Sequence, residues 1–133
     1  MHYQIVKGGD IPYFIIELYG EFNIKAFEKC LIELFIHPQW RLDLDVLYDA
    51  QNCTLGHLSK EDINELNRMT NKFRDKTGRG KVAWVVNHGR EVDMGVSRMY
   101  QLMFNDTVTY DLQVFKSIGD AHFWIETNDL PGM

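Results

Sequence analysis

The sequence predicts an α/β fold. The sheet is mixed but mainly parallel, opens with an N-terminal antiparallel hairpin, and carries right-handed β-α crossovers that place helices mainly on one face. Three observations carry this prediction. Alternating apolar runs are separated by stretches of helical periodicity, giving the order ββαβαβαβα. The first two strands are joined by a short Gly-Gly-Asp turn and so pair antiparallel, whereas each later strand follows a helix and so pairs parallel. The strands around Asp43 and Asp111 are polar at alternate positions, as expected for a sheet whose second face is less covered.

Each element has a local reason. "YQIVKGGDIPYFIIELYGEF" reads as the hairpin, turning at Gly8-Gly9-Asp10 and placing Phe14, Ile16 and Leu18 on one face. Asn23 is placed to cap a helix whose buried stripe is Phe27, Cys30, Leu31, Leu34 and Phe35. Pro38 disfavours helical geometry at His37 and ends it. "RLDLDVLYDA" reads as a strand with Leu42, Leu44, Val46 and Tyr48 on one side. Ser59 and Asp62 form a capping-box pattern ahead of a helix with Ile63, Leu66, Thr70 and Phe73 inward, stopped by Gly78 and Gly80. "KVAWVVN" is nearly continuous apolar sequence, as a central parallel strand requires. After "HGRE" comes a helix whose expected apolar stripe is Val92, Val96, Met99 and Met103, with Gly95 allowing close backbone approach. "YDLQVF" alternates as the last strand. Ser117 and Asp120 then repeat the capping pattern before a short helix bearing Ile118, Ala121, Trp124 and Ile125, and the tail "NDLPGM" is expected to fray.

The 133 residues fit a single domain, 1–133, with no repeat, linker or low-complexity segment. The composition, 45% hydrophobic and 25% charged, is that of a globular protein. A net charge of -5 and a pI near 5.4 give a surface that repels phosphate backbones and anionic lipid, so neither nucleic acid nor membrane surface is an expected partner. No apolar run is long enough to span a bilayer, and the start "MHYQIVKGGD" lacks a signal-peptide pattern. The expected location is cytoplasmic. Two cysteines make no disulfide framework, and the absence of CxxC, HExxH or paired histidines at ligand spacing leaves no metal site or cofactor to expect.

"HPQW" before "LDVLYDA", then "KVAWVVN", "MGVSRMY" and "LQVFKSIGDAHFWI" resemble the single-domain bacterial STAS-like proteins. These are distant relatives of the anti-sigma-factor antagonists, with the fold of stage II sporulation protein AA. The resemblance runs from about Gly20 to Ile125 and implies a STAS-type sheet with a regulatory or binding role. The antagonists open the helix after this strand with Asp-Ser-Ser-Gly, whose second Ser accepts phosphate. Here the stretch is His57-Leu58-Ser59-Lys60, which keeps a serine at the helix entrance without its neighbours. The plainer reading of Ser59 is an N-cap.

Chemistry-bearing residues concentrate after the parallel strands. In open parallel sheets ligands gather outside the carboxyl ends of strands. The loops "DAQNCTLGHLS", "NHGRE" and "KSIGD" are expected to bring Asn52, Thr54, His57, Ser59, Asn87, His88, Arg90, Lys116 and Ser117 to one rim, where helix N-termini and Arg90 suit a small anion. The leading expectation is a non-enzymatic domain that recognises a protein partner or small ligand there. A homodimer through the second sheet face, around Tyr13, Ile15 and Tyr19, is the associated expectation. Arg98, on a helix with Met94, Met99 and Met103, marks another face suited to a partner. Two alternatives stand beside these. Cys53 and His57, with Asp49, have the residue types of a small cysteine enzyme, and an interior cavity would make the protein a carrier of an apolar ligand.

Overall fold

The computed structural model describes residues 1–7, 10–104 and 110–130, without the side chains of Met103 and Phe104. Strands β1 (His2–Val6) and β2 (Phe14–Glu21) pair antiparallel, with Ile5 opposite Ile16. Helix α1 (Ile24–Phe35) leads to β3 (Val46–Thr54), followed by α2 (Lys60–Asn71) and the single turn α3 (Arg74–Thr77). Then come β4 (Lys81–Val85), α4 (Glu91–Phe104), β5 (Asp111–Phe115) and α5 (Ile118–Thr127). The five strands lie in sequence order, and β2 through β5 are all parallel. The mixed sheet with its N-terminal antiparallel pair is therefore the one expected. The turn at Gly8-Gly9, the Met103 side chain and the end of the tail, Pro131-Gly132-Met133, lie outside the described residues.

The larger core lies between one sheet face and α1, α2 and α4. Phe14, Ile16 and Leu18 of β2 and Val46, Tyr48 and Ala50 of β3 meet Phe27, Leu31 and Leu34 of α1, Leu66 and Met69 of α2, and Met94 of α4. The opposite face buries Tyr13, Leu47, Ala83, Val85 and Phe115 under Ala121, Trp124 and Ile125 of α5. Helices are thus mainly on one face, with α5 alone on the other. Tyr13, expected to be open for a second copy, is 1% exposed beneath α5, and its hydroxyl meets His122 and Glu126.

Two local expectations need correction. Residues 41–45 do not start the strand. Asp43 adopts φ 71, and its carboxylate accepts from the Arg79 amide at 2.6 Å while Asp45 accepts from the Lys81 amide at 2.8 Å. Turn-forming aspartates here use their side chains on backbone donors, which competes with a ladder. Gly80 completes this clasp, since a Cβ there would lie 2.3 Å from the Leu44 carbonyl oxygen. At the other end, β3 runs further than its polar sequence suggested. Asn52, Cys53 and Thr54 remain in the ladder against Tyr19, Gly20 and Glu21, after a register shift between Glu17 and Tyr19. Pairing with β2 overrides their weak strand propensity.

Helix α4 is also rotated from its expected setting. Asp93, Met94 and Ser97 are buried, whereas Val92 is 63% and Met99 43% exposed. Three polar contacts set this rotation. Asp93 Oδ1 accepts from the Leu55 amide at 2.9 Å, Tyr100 Oη lies 2.7 Å from Thr70 Oγ1, and Gln101 donates to the Leu112 carbonyl at 2.7 Å. The last bond satisfies a carbonyl on β5, an edge strand of the sheet.

Candidate functional site

Two features of the structure have the shape of a site. The first is interior, between the sheet and α1, α2 and α4. A void of about 70 Å³ is walled by Phe22 and Tyr48, Trp84 of β4, Leu66 and Thr70 of α2, and Val96, Ser97 and Tyr100 of α4. Its aromatic wall is continuous: Phe27, Tyr48 and Trp84 have ring centroids 5.5–6.0 Å apart. The helical hydroxyls around it turn back to their own backbones. Thr70 donates to Leu66 O, Ser97 to Asp93 O and Thr77 to Phe73 O, at 2.9, 2.8 and 3.3 Å. These three hydroxyls are therefore already hydrogen-bonded within their own helices. Burial pushes the Tyr48 and Tyr100 phenols well above their ordinary range, in keeping with a dry interior.

The second feature is a shallow groove of about 730 Å³ at the carboxyl ends of the strands. It gathers Thr54, His57, His88 and Arg90 from the sequence-predicted set and adds Glu21, Glu91, Val92 and Asp93. The His57 ring nitrogen lies 2.8 Å from the Phe22 carbonyl oxygen and 3.7 Å from Glu21 Oε1. Asp93 is 4% exposed. Its Oδ2 has no hydrogen-bond partner among the described residues, and Arg90 Nη1 stands 3.8 Å away. The groove is thus lined by acidic as well as basic side chains.

The remaining predicted residues do not line this groove. Asn52 is exposed on β3, and Asn87 accepts from the Gly89 amide at 2.8 Å. Ser117 caps α5 by accepting from Asp120 N at 3.3 Å, and Lys116 beside it is exposed on the approach to the opposite sheet face. Ser59 Oγ accepts from Asp62 N at 3.1 Å while Asp62 accepts from Ser59 N at 2.8 Å, a complete capping box.

Cys53 has the opposite of what a nucleophile needs. It is fully buried, and burial, reinforced by the nearby Asp93 charge, raises its thiol to about 11. Asp49, the third member of that reading, accepts from Gln51 instead. Among the described residues no cluster of three or more His, Cys, Asp or Glu is set to hold a metal ion. None of the helices in those residues is long and apolar enough to cross a membrane. Sequence reasoning missed both the void and Asp93. The only signal for Asp93 was an acidic residue three positions after Arg90 in a helix first turn, which ordinarily reads as a dipole partner.

No family model matches the sequence, and the search of curated proteins found no match. Among solved structures, the chain is similar to an uncharacterised DUF3478-family protein from Shewanella loihica PV-4, described as having a SpoIIAA-like fold. Sequence identity is 15%, the match covers 93% of this chain and 92% of that one, and the TM-score is 0.59. The sheet order, the helix placement and this likeness together give the chain a SpoIIAA-like, and so STAS-like, fold.

Proposed function

We propose that the protein is a non-enzymatic binding domain of STAS type that holds a small apolar molecule between its sheet and helices α2 and α4. What supports this reading is the interior void and its wall. Protein interiors are close-packed, and a void of about 70 Å³ costs roughly 2 kcal/mol at about 24 cal/mol per Å³. A space ringed by aromatic and aliphatic side chains, with its Thr and Ser hydroxyls already hydrogen-bonded, suits an apolar guest. The space as it stands is smaller than a benzene-sized cavity of about 150 Å³, so a ligand enters as α4 moves outward. Helix α4 is suited to that, because Met94, itself 9% exposed, is the only large apolar residue buried on its described inward face.

The test is an amide NMR titration with benzene and with a medium-chain aliphatic alcohol. Expected are saturable shifts confined to Tyr48, Trp84, Val96 and Tyr100. Val96→Phe, which fills the void, should abolish them while leaving the fold intact by circular dichroism. No shift up to the solubility limit, or an undiminished response in Val96→Phe, would overturn the reading. Recognition of a polar ligand at the rim is the second reading, favoured by the groove that assembles Thr54, His57, His88 and Arg90. Shifts centred on those four residues would move the conclusion there.

A further inference from the structure

Helix α4 turns an apolar stripe outward, where no element among the described residues covers it. Val92, Met99 and Leu102 are 63%, 43% and 76% exposed, and Gly95 falls on the same line. The spacing 92, 95, 99, 102 is the three-four alternation by which one helix seats against another. Gly95 stands at the middle of this line. A Cβ built there would meet nothing within 4 Å, so nothing among the described residues demands a glycine. Glycine is among the least favourable residues in a helix interior, and its usual structural return is close approach of another backbone.

Charge identifies the occupant. Glu91 and Arg98 are seven residues apart, both exposed, and flank the stripe on the same side. Neither has an ion-pair partner among the described residues, and Arg90 rather than Arg98 faces Asp93. When two copies of one helix cross antiparallel, like flanks face each other, so Glu91 of one copy meets Arg98 of the other, twice, by symmetry. The point midway between 91 and 98 is the Met94–Gly95 peptide. The crossing that satisfies both charge pairs is therefore the one that brings the two glycines together. A parallel pairing would not place these residues opposite one another.

We infer that α4 is the self-association surface of this protein, forming a two-fold, antiparallel α4–α4 contact centred on Gly95 with reciprocal Glu91–Arg98 pairs. A single helix face buries less than the roughly 800 Å² per partner of a standard interface, so the dimer is weak and depends on concentration. It uses the helix whose inner face walls the void, and not the sheet face beneath α5.

Sedimentation equilibrium of the full chain tests this. Expected is a reversible monomer–dimer equilibrium between micromolar and millimolar protein. Arg98→Glu and Glu91→Arg should each weaken it by about tenfold or more, and the double reversal should restore it to within about threefold. Gly95→Leu should weaken the dimer while the thermal midpoint of the monomer holds or rises, which separates association from folding. A monomer throughout the range would overturn the inference and leave the stripe to a different protein. A dimer indifferent to these variants, or not restored by the double reversal, would overturn it equally.

Discussion

Ser59 and Asp62 exchange hydrogen bonds across the first turn of α2, at 3.1 and 2.8 Å, so the serine does serve as the N-cap of that helix. Both its donor-facing oxygen and its amide are committed to the helix end. Ser59→Ala is expected to lower stability by about 1 kcal/mol in urea unfolding, with Ser59→Thr close to neutral. A loss no larger than experimental scatter would show the cap to be idle. The capping residues Asn23, Ser59 and Ser117 were all legible in the sequence, because capping depends on neighbours within one turn. Asp93 was not. Its bond to the Leu55 amide joins positions 38 residues apart, and nothing local announces such a partner. Cys53 was misread for a related reason. Its polar neighbours suggested a loop, but the ladder with Gly20 that buries it comes from a distant strand.

Among the elements, α1, α2 and α4 obey a rule that α5 escapes. Each of the first three connects neighbouring parallel strands laid down in one direction, and crossovers of one hand must then fall on one face. Helix α5 joins no pair of the described strands, so the rule does not bind it, and it settles where apolar surface is left open. Tyr13, Leu47, Ala83 and Phe115 are buried there only because Trp124 and Ile125 cover them. Lys81 fastens the end of α5 by donating to the carbonyls of Trp124 and Ile125, at 3.3 and 2.8 Å. Trp124→Ala is accordingly expected to cost about 3–5 kcal/mol and to expose the second face to hydrophobic dyes. Chemical denaturation with dye fluorescence checks both, and a loss below about 1 kcal/mol would mean that α5 is not an essential layer. The apolar periodicity of α5 was readable; which side it would choose was not, since periodicity gives a helix its face but not its address.

For the molecule as a whole, pH has a predictable effect above neutrality. All six tyrosines hold their protons more tightly in the fold than free tyrosine does. Burial is the leading cause for Tyr3, Tyr13, Tyr48, Tyr100 and Tyr110, and for Tyr19 it is the hydrogen bond to Glu17. Tyr3 and Tyr13 rise to about 12. The unfolded chain releases phenolic protons near pH ~10, before the folded chain does, so the unfolded state then binds fewer protons and gains. The contribution is fully present below pH ~10 and is lost as pH climbs through the folded values. Urea midpoints should be level to about pH 9 and fall steeply by about pH 11, in step with phenolate absorbance. Unchanged midpoints across that interval would show that the tyrosines are not buried as described. The sheet and its order were legible because alternation and helical periodicity run through long stretches. The void was not, because it is a shortfall in packing among side chains from several elements, and no single stretch of sequence carries it.

The overhang of β3 ties these levels together. Its first residues, Val46 to Asp49, lie between two strands, but from Asn52 to Thr54 the only ladder partner among the described residues is β2. Beyond the last rung, the Leu55 amide is held by a carboxylate that rides on α4. If a guest enters by displacing that helix, as proposed above, this bond would break with it and would couple the groove outside to the hollow within. Occupancy of the one would then be felt as slack in the other.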